Sequence, residues 1–199
     1  MAGWMDVALT GGVESMSLIA MGGQKISPNP TWVEQDPRVY TPMGLTAEHV
    51  ANRFNVSRSA QDEFAATSHQ RAIEAIQSGR FQDEIVPVST RVHAGTWRDI
   101  VMDTDEGPRP GSTAEVLGKL RPVFAARGSV TAGNSSQMSD GAAATLIASR
   151  RAVELQGLKP LAWLKSYQVV GVDPEIMGVG PLYAIPKAVE AAGISLADV

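Results

Sequence analysis

Apolar positions along this chain come in short bursts separated by polar, glycine-rich and proline-rich stretches. The first burst, residues 5–9 (MDVAL), is rich in β-formers and is closed by Gly11 and Gly12. It predicts a buried strand leading into a tight turn. That strand starts almost at the first residue, with nothing before it to pair with. Residues 21–43 have no clear period and carry Pro28, Pro30, Pro37 and Pro42 around Trp32 and Tyr40, the pattern of a functional or surface loop. Thr46 is placed to cap a short helix running to Arg53, and Ser57 or Ser59 to cap a longer one. In the longer helix Phe64, Ser68, Ala72 and Ile76 recur every four residues and predict one buried stripe. Asp62 and Glu63 fall in its first turn, where the helix dipole favours them, and Gly79 falls just past its last.

Further along, residues 84–92 predict a strand that Pro87 confines to an edge or a bulge. Residues 107–111 (GPRPG) predict a rigid loop, and residues 113–120 a short helix ended at Arg121-Pro122. The small apolar run 142–148 predicts a strand covered on both faces. Residues 151–156 read as a helix, 161–172 as a strand, and 181–192 as a helix stopped by Gly193, after which the chain approaches a further strand. The order of elements indicates an α/β fold with an inserted α+β region, and no short-period repeat is visible.

The chain has 199 residues, 44% hydrophobic and 19% charged, the profile of a globular chain. A formal charge of -4 argues against nucleic acid, whose affinity rests on dense lysine and arginine contacts to phosphate. No apolar run approaches the ~20 residues that span a bilayer, and the first residues lack the basic-then-apolar pattern of a signal peptide. With no cysteine there is no disulfide, thiolate nucleophile or zinc–thiolate site in the sequence. A cytoplasmic location is the expectation from these features.

Among candidate reactive groups, His49, His69 and His93 are far apart and have no ligand-like spacing, so no metal site is expected. Ser15, Ser17, Ser135 and Ser136 lack both a G-x-S-x-G frame and an evident base. Gly11-Gly12 lacks the spacing of a dinucleotide fingerprint or a P-loop lysine. Arg109, Lys119, Arg121 and Arg127 cluster between Pro108 and Gly128, as a solvated face or a phosphate contact. The densest segment is 130–143, VTAGNSSQMSDGAA. Its small residues let a ligand approach the backbone, and its serines and asparagine can bind polar groups.

That segment resembles the VTAGNASGLNDGAAA signature of the thiolase family. DVALTGGVESMS, MGLTAEHVA, SRSAQDEFAATSHQRAIEAIQSGRFQDEIVPV, KLRPVF, VVGVDPEIMGVGP and AIPKAVEAAGI continue the resemblance in family order over nearly the whole chain. The resemblance implies a thiolase-like layered α/β fold, incomplete here, with an inserted α+β loop domain. Residues 1–20 would be late core of the first half, 21–124 the loop domain, 125–157 the end of the first half, and 158–199 the start of the second. It implies acyltransferase chemistry of fatty-acid metabolism and β-oxidation: thiolysis of 3-ketoacyl-CoA or condensation of acyl-CoA. Coenzyme A or acyl-CoA would be the substrate, with no permanently bound cofactor and no metal. Full-length members would be homodimers or homotetramers, with no membrane or nucleic-acid partner.

In the family one cysteine takes the acyl group and a second moves the proton. A G-H-P histidine and an N-E-A-F asparagine hold developing oxyanions. None of the four is in this sequence, so no catalytic residue is assigned and the chain is expected to be an inactive interior fragment. The alternatives are a non-catalytic CoA-binding or subunit-completing module, and a truncated gene product. Matching by motif, Arg109 would approach the adenosine phosphate region and Phe124 would pack on the coenzyme. Ala132 and Ser136 would meet the pantetheine arm, while Met43 and Met177 would line the route to the acyl group. Pro42-Met43-Gly44 stands where some members have a histidine touching the pantetheine, and Gln137 stands where glycine is common. Unpaired edges and exposed apolar faces are expected for the isolated chain, and with them poor solubility.

Overall fold

The computed structural model describes residues 4–199. The chain divides into two compact units, residues 41–137 and the remainder, residues 4–40 with 138–199.

The discontinuous unit is built on one antiparallel ladder between β1 (Val7–Ser15) and β4 (Asp140–Ala148), in register from Val7 opposite Ala148 to Ser15 opposite Asp140. Gly11 and Gly12 do not end β1, as their composition suggests; they sit inside it, opposite Ala144 and Ala143. A long partner strand of small residues satisfies the backbone on both sides of the glycines, and the ladder overrides their local preference. The expectation that residues 142–148 are covered on both faces is also overturned. Leu9, Val13, Leu146 and Ile147 are all exposed, because this sheet has two strands and no described layer lies over it.

The same unit carries α1 (Pro30–Gln35) and a 3-10 turn at Pro37–Tyr40 within the stretch read as irregular. Asn29 caps α1 by accepting from the Thr31 amide, and Pro30 pre-sets its first turn. Arg38 grips Asp36 through Nε at 2.7 Å, and its Nη1 reaches Asp173 at 3.5 Å at the start of a 3-10 turn over Pro174–Val179. Ser149 caps helix Arg150–Gln156, and Gly193, as expected, follows helix Gly180–Ala192. Residues 161–172, read as a strand, pair with no described residue and form no ladder, and a strand without a partner leaves its amides to water. The chain's last described turn is a 3-10 turn at Leu196–Asp198.

The continuous unit holds α2 (Met43–Arg53), α3 (Arg58–Gln77), the hairpin β2 (Val88–Ala94) with β3 (Thr96–Met102), and α4 (Ala114–Leu117). Thr46 does not cap α2. The helix begins three residues earlier behind Pro42, and the buried Thr46 hydroxyl donates to the Met43 carbonyl at 2.7 Å. Ser57 does cap α3, accepting from the Ala60 amide, and Gly79 follows the helix with φ of 72°, which costs glycine little.

The stripe read for α3 holds at Ala72 and Ile76 and fails at Phe64 and Ser68, which are exposed. Phe64 is 78% exposed. The inward face runs through Asp62, Ala65, His69, Ala72 and Ile76, because α3 packs on α4 and meets the turn near Ser129 through polar side chains. Asp62 is therefore no dipole partner in the first turn; it is buried one turn further in. The strand expected from residue 84 starts only after Pro87, which has no N–H to give to a ladder. Its partner β3 was not legible in the sequence. The hairpin places Arg91 opposite Asp99, 3.0 Å apart as an ion pair, and His93 opposite Trp97.

Candidate functional site

The segment singled out by its composition, residues 130–143, opens with a turn whose backbone is held from two helices. On α2 the Glu48 carboxylate is buried and accepts from the Ser129 amide, the Ser129 hydroxyl and the Val130 amide, the last at 2.9 Å. On α3 the Asp62 carboxylate, 2% exposed, accepts from Arg58 Nε at 2.7 Å and from Asn134 Nδ2 at 3.0 Å. The other end of Asn134 accepts from the Thr131 amide at 2.7 Å. The fully buried Thr131 offers its hydroxyl oxygen to the Gly133 and Asn134 amides. Each oxygen of the two buried carboxylates thus accepts at least one hydrogen bond, as burial of a charge requires.

With the polar side chains of Thr131 and Asn134 turned inward, the turn leaves Ala132 and Ser136 exposed. The Ser136 hydroxyl has only a long bond, 3.3 Å, to the neighbouring Gln137 carbonyl. That weak local partner leaves it free to exchange for a ligand's acceptor or donor.

Loop 107–111 lies against the same segment. The Gln137 amide packs directly on Gly107, and would have to move if that glycine carried a side chain. This gives Gln137, the departure from the usual glycine, a definite place beside the loop that carries Arg109. The Arg109 amide donates to His69 Nδ1 at 3.2 Å, and the Arg109 side chain is exposed. His69 lies seven residues beyond Asp62 on α3, two turns or about 10 Å along one helix face. One helix therefore anchors both the 129–136 turn and the arginine loop.

Phe124, 44% exposed, packs its ring against Gly44 of α2, where any side chain would collide with it. Met43, next to Gly44, is 55% exposed. Five of the six residues picked from the sequence, Met43, Arg109, Phe124, Ala132 and Ser136, thus belong to one unit and are exposed on it. Met177 belongs to the other unit, exposed on the 3-10 turn that Arg38 reaches. Sequence reading missed Glu48, Asp62 and His69. The spacing of Arg58 and Asp62, one helical turn apart, was the available signal for one of them. Among the described residues no group of side chains has metal-ligand geometry, and no helix is long and apolar enough to cross a membrane.

The family model described as the thiolase N-terminal domain matches residues 1–151, and the one described as the thiolase C-terminal domain matches residues 158–199. The chain belongs to the thiolase family. It is 47% identical over 205 residues to the 3-ketoacyl-CoA thiolase of Bacillus subtilis, covering 100% of this chain and 52% of the relative. It is 51% identical over 200 residues to the peroxisomal 3-ketoacyl-CoA thiolase of Homo sapiens, covering 99% and 47%. The dimeric peroxisomal thiolase of Saccharomyces cerevisiae superposes with a TM-score of 0.86 at 42% identity, over 99% of this chain and 50% of that one. The human mitochondrial 3-ketoacyl-CoA thiolase in complex with CoA gives 0.80 at 40%, over 98% and 50%. The fold is thus thiolase-like, and the chain spans about half the length of the curated relatives it matches. The expectation of a cytoplasmic location is overturned by the same comparison, since the human and yeast thiolases are peroxisomal. Composition cannot make that distinction, because compartment is set by short receptor-read addresses.

Proposed function

We propose that this chain supplies the coenzyme-facing wall of a thiolase-type acyltransferase, acting in thiolysis of 3-ketoacyl-CoA or condensation of acyl-CoA. The observation that carries the reading is the 129–136 turn. Its backbone is fixed by Glu48 and Asp62 while Ala132 and Ser136 stay exposed, beside the loop that holds Arg109. Such a surface suits a long ligand with phosphates at one end and amides along its arm. Arg109 meets the phosphates near the adenosine and Ser136 bonds an amide of the pantetheine. Ala132 leaves room for that arm, and Phe124 packs on the coenzyme. Met43 and Met177 line the acyl route. In the same proposal residues 21–124 are the inserted loop domain, 1–20 and 125–157 belong to the first core half, and 158–199 to the second. The working enzyme is a homodimer or a homotetramer. The 199 residues contain no cysteine, so no acyl thioester forms on them and the chain alone turns over nothing.

Calorimetric titration with CoA tests this. Weak binding is expected, weakened further by Arg109→Ala and by Ser136→Ala, with no thiolysis of acetoacetyl-CoA by the purified chain. Steady thiolysis, or CoA affinity indifferent to both substitutions, would overturn the reading. A second reading, a non-catalytic module that completes another subunit, is favoured by the uncovered faces of the β1–β4 ladder. Stable capture of a second polypeptide together with tight CoA binding would select it.

A further inference from the structure

Asp62 is the most buried charged side chain among the described residues, and the coenzyme reading gives it no contact with the ligand. Helix formation does not need it, since Ser57 caps α3 and Asp62 lies beyond the first turn. Its bonds point elsewhere. One oxygen accepts from Arg58 Nε, and Arg58 is itself fixed by its Nη2, which donates to the Leu117 carbonyl at 2.7 Å and the Leu120 carbonyl at 3.1 Å. The other oxygen accepts from Asn134 Nδ2. Asn134 then accepts from the Thr131 amide, and its Nδ2 also donates to the Ser129 carbonyl at 3.1 Å. The chain of bonds runs from the rigid helix through Asp62 and Asn134 into the backbone of the turn.

We propose that Asp62 is a positioning residue: through Asn134 it sets the turn that presents Ala132 and Ser136 to the pantetheine arm of CoA. This rests on the coenzyme reading above. The chemistry is specific to a carboxylate. Two donors converge on Asp62, one from Arg58 and one from Asn134, and a carboxylate offers one oxygen to each. An asparagine of the same shape has one oxygen, so its amide nitrogen must face a donor. Asn134 is then free to turn over and release the Thr131 amide.

Isosteric substitution separates this role from general support of the fold. Asp62→Asn should weaken CoA binding about tenfold, the equivalent of one charge-assisted hydrogen bond. Binding of adenosine 3′,5′-bisphosphate, which lacks the pantetheine arm, should stay within about twofold, because Arg109 is anchored separately by His69. Asn134→Asp should be at least as damaging, since two buried carboxylates then face each other. The reciprocal pair Asp62→Asn with Asn134→Asp restores a donor facing an acceptor between the two side chains and an acceptor for the Thr131 amide, loses the bond to the Ser129 carbonyl, and should recover part of the CoA affinity. A merely structural residue would lower both ligands together and would gain nothing from the swap, and either of those results would overturn the proposal. Amide exchange without ligand gives an independent reading. The Thr131 amide should exchange about tenfold faster in Asp62→Asn and slow again in the swapped pair, while amides of residues 69–76 do not change. Were the parent chain to bind no CoA, the coenzyme reading would fall. Exchange at Thr131 would still decide whether Asp62 sets the turn, and an unchanged rate there would overturn that.

Discussion

The turn at residues 129–136 and the β1–β4 ladder are both rich in small residues, and they are held in opposite ways. In the turn, side chains hold the backbone: buried Glu48 and Asp62 reach it from two helices, and Asn134 and Thr131 fold inward to meet their neighbours' amides. In the ladder, the backbone holds itself through nine paired positions while the apolar side chains stay exposed. Small residues serve close side-chain-to-backbone contact in the first and strand pairing in the second. The difference teaches where the chain is sensitive. Buried polar clamps make single side chains matter, because removing one leaves several donors unpaired in a dry site.

The largest effect should come from Glu48. Glu48→Ala removes the acceptor for three donors, the Ser129 amide, the Ser129 hydroxyl and the Val130 amide. A loss on the order of 3 kcal/mol is expected, from buried donors left without partners. Urea unfolding followed by circular dichroism measures it. A loss below about 0.5 kcal/mol, the range of an ordinary surface change, would break the comparison, since the turn would then be held by something other than its clamps.

An apolar contact in the same unit should matter somewhat less. Gly44 gives the Phe124 ring its seat on α2, and a methyl group there would have to displace the ring. Gly44→Ala should cost about 1–3 kcal/mol, the range of overpacking, although alanine is the better helix former. The same substitution should alter CoA affinity if Phe124 packs on the coenzyme. A variant more stable than the parent would show that Phe124 moves aside freely, and would demote that contact below the polar clamps.

What the sequence made legible follows the same division. Ser57 before α3, Gly79 after it and Gly193 after helix Gly180–Ala192 are local signals, and the structure bears each of them out. Pairings across long sequence separations were not legible. β3 has no clean alternation of its own and exists as the partner of β2. Gly11 and Gly12 read as a break until a matching run of alanines is laid beside them. Asp62 reads as an ordinary first-turn acid because its decisive partner, Asn134, is 72 residues away. For the site, the density of small polar residues singled out segment 130–143, which opens with a clamped turn, and motif resemblance picked residues the fold leaves exposed. The residues that fix the segment were invisible, because a buried acid on a helix looks like any surface acid until the fold closes over it.

The smallest effect should be in the ladder, and pH exposes it. Asp140 sits at the end of β4 opposite Ser15, where its carboxylate accepts from the Ser17 amide at 2.9 Å and the Ser15 hydroxyl at 3.1 Å. The Ser17 amide holds the carboxyl below the ordinary aspartate range; desolvation opposes it, and the Ser15 hydroxyl adds a lesser lowering. A carboxyl whose pKa is lower folded than unfolded adds stability above its unfolded pKa and loses it as pH falls through the folded one. The contribution should therefore be whole near neutrality and fade as pH drops below about 4. Because Asp140 is exposed, the loss should be local fraying at Ser15 and Ser17, with no shift in global unfolding. Amide shifts of Ser17 followed from pH 6 to pH 2 should titrate with Asp140, and Asp140→Asn should flatten that profile. The buried turn offers a built-in control, since its Ser129 and Val130 amides donate to Glu48 and its Thr131 amide to Asn134. Cooperative unfolding of the chain as Asp140 takes up its proton would show that the ladder depends on its side chains after all, and the contrast with the turn would collapse.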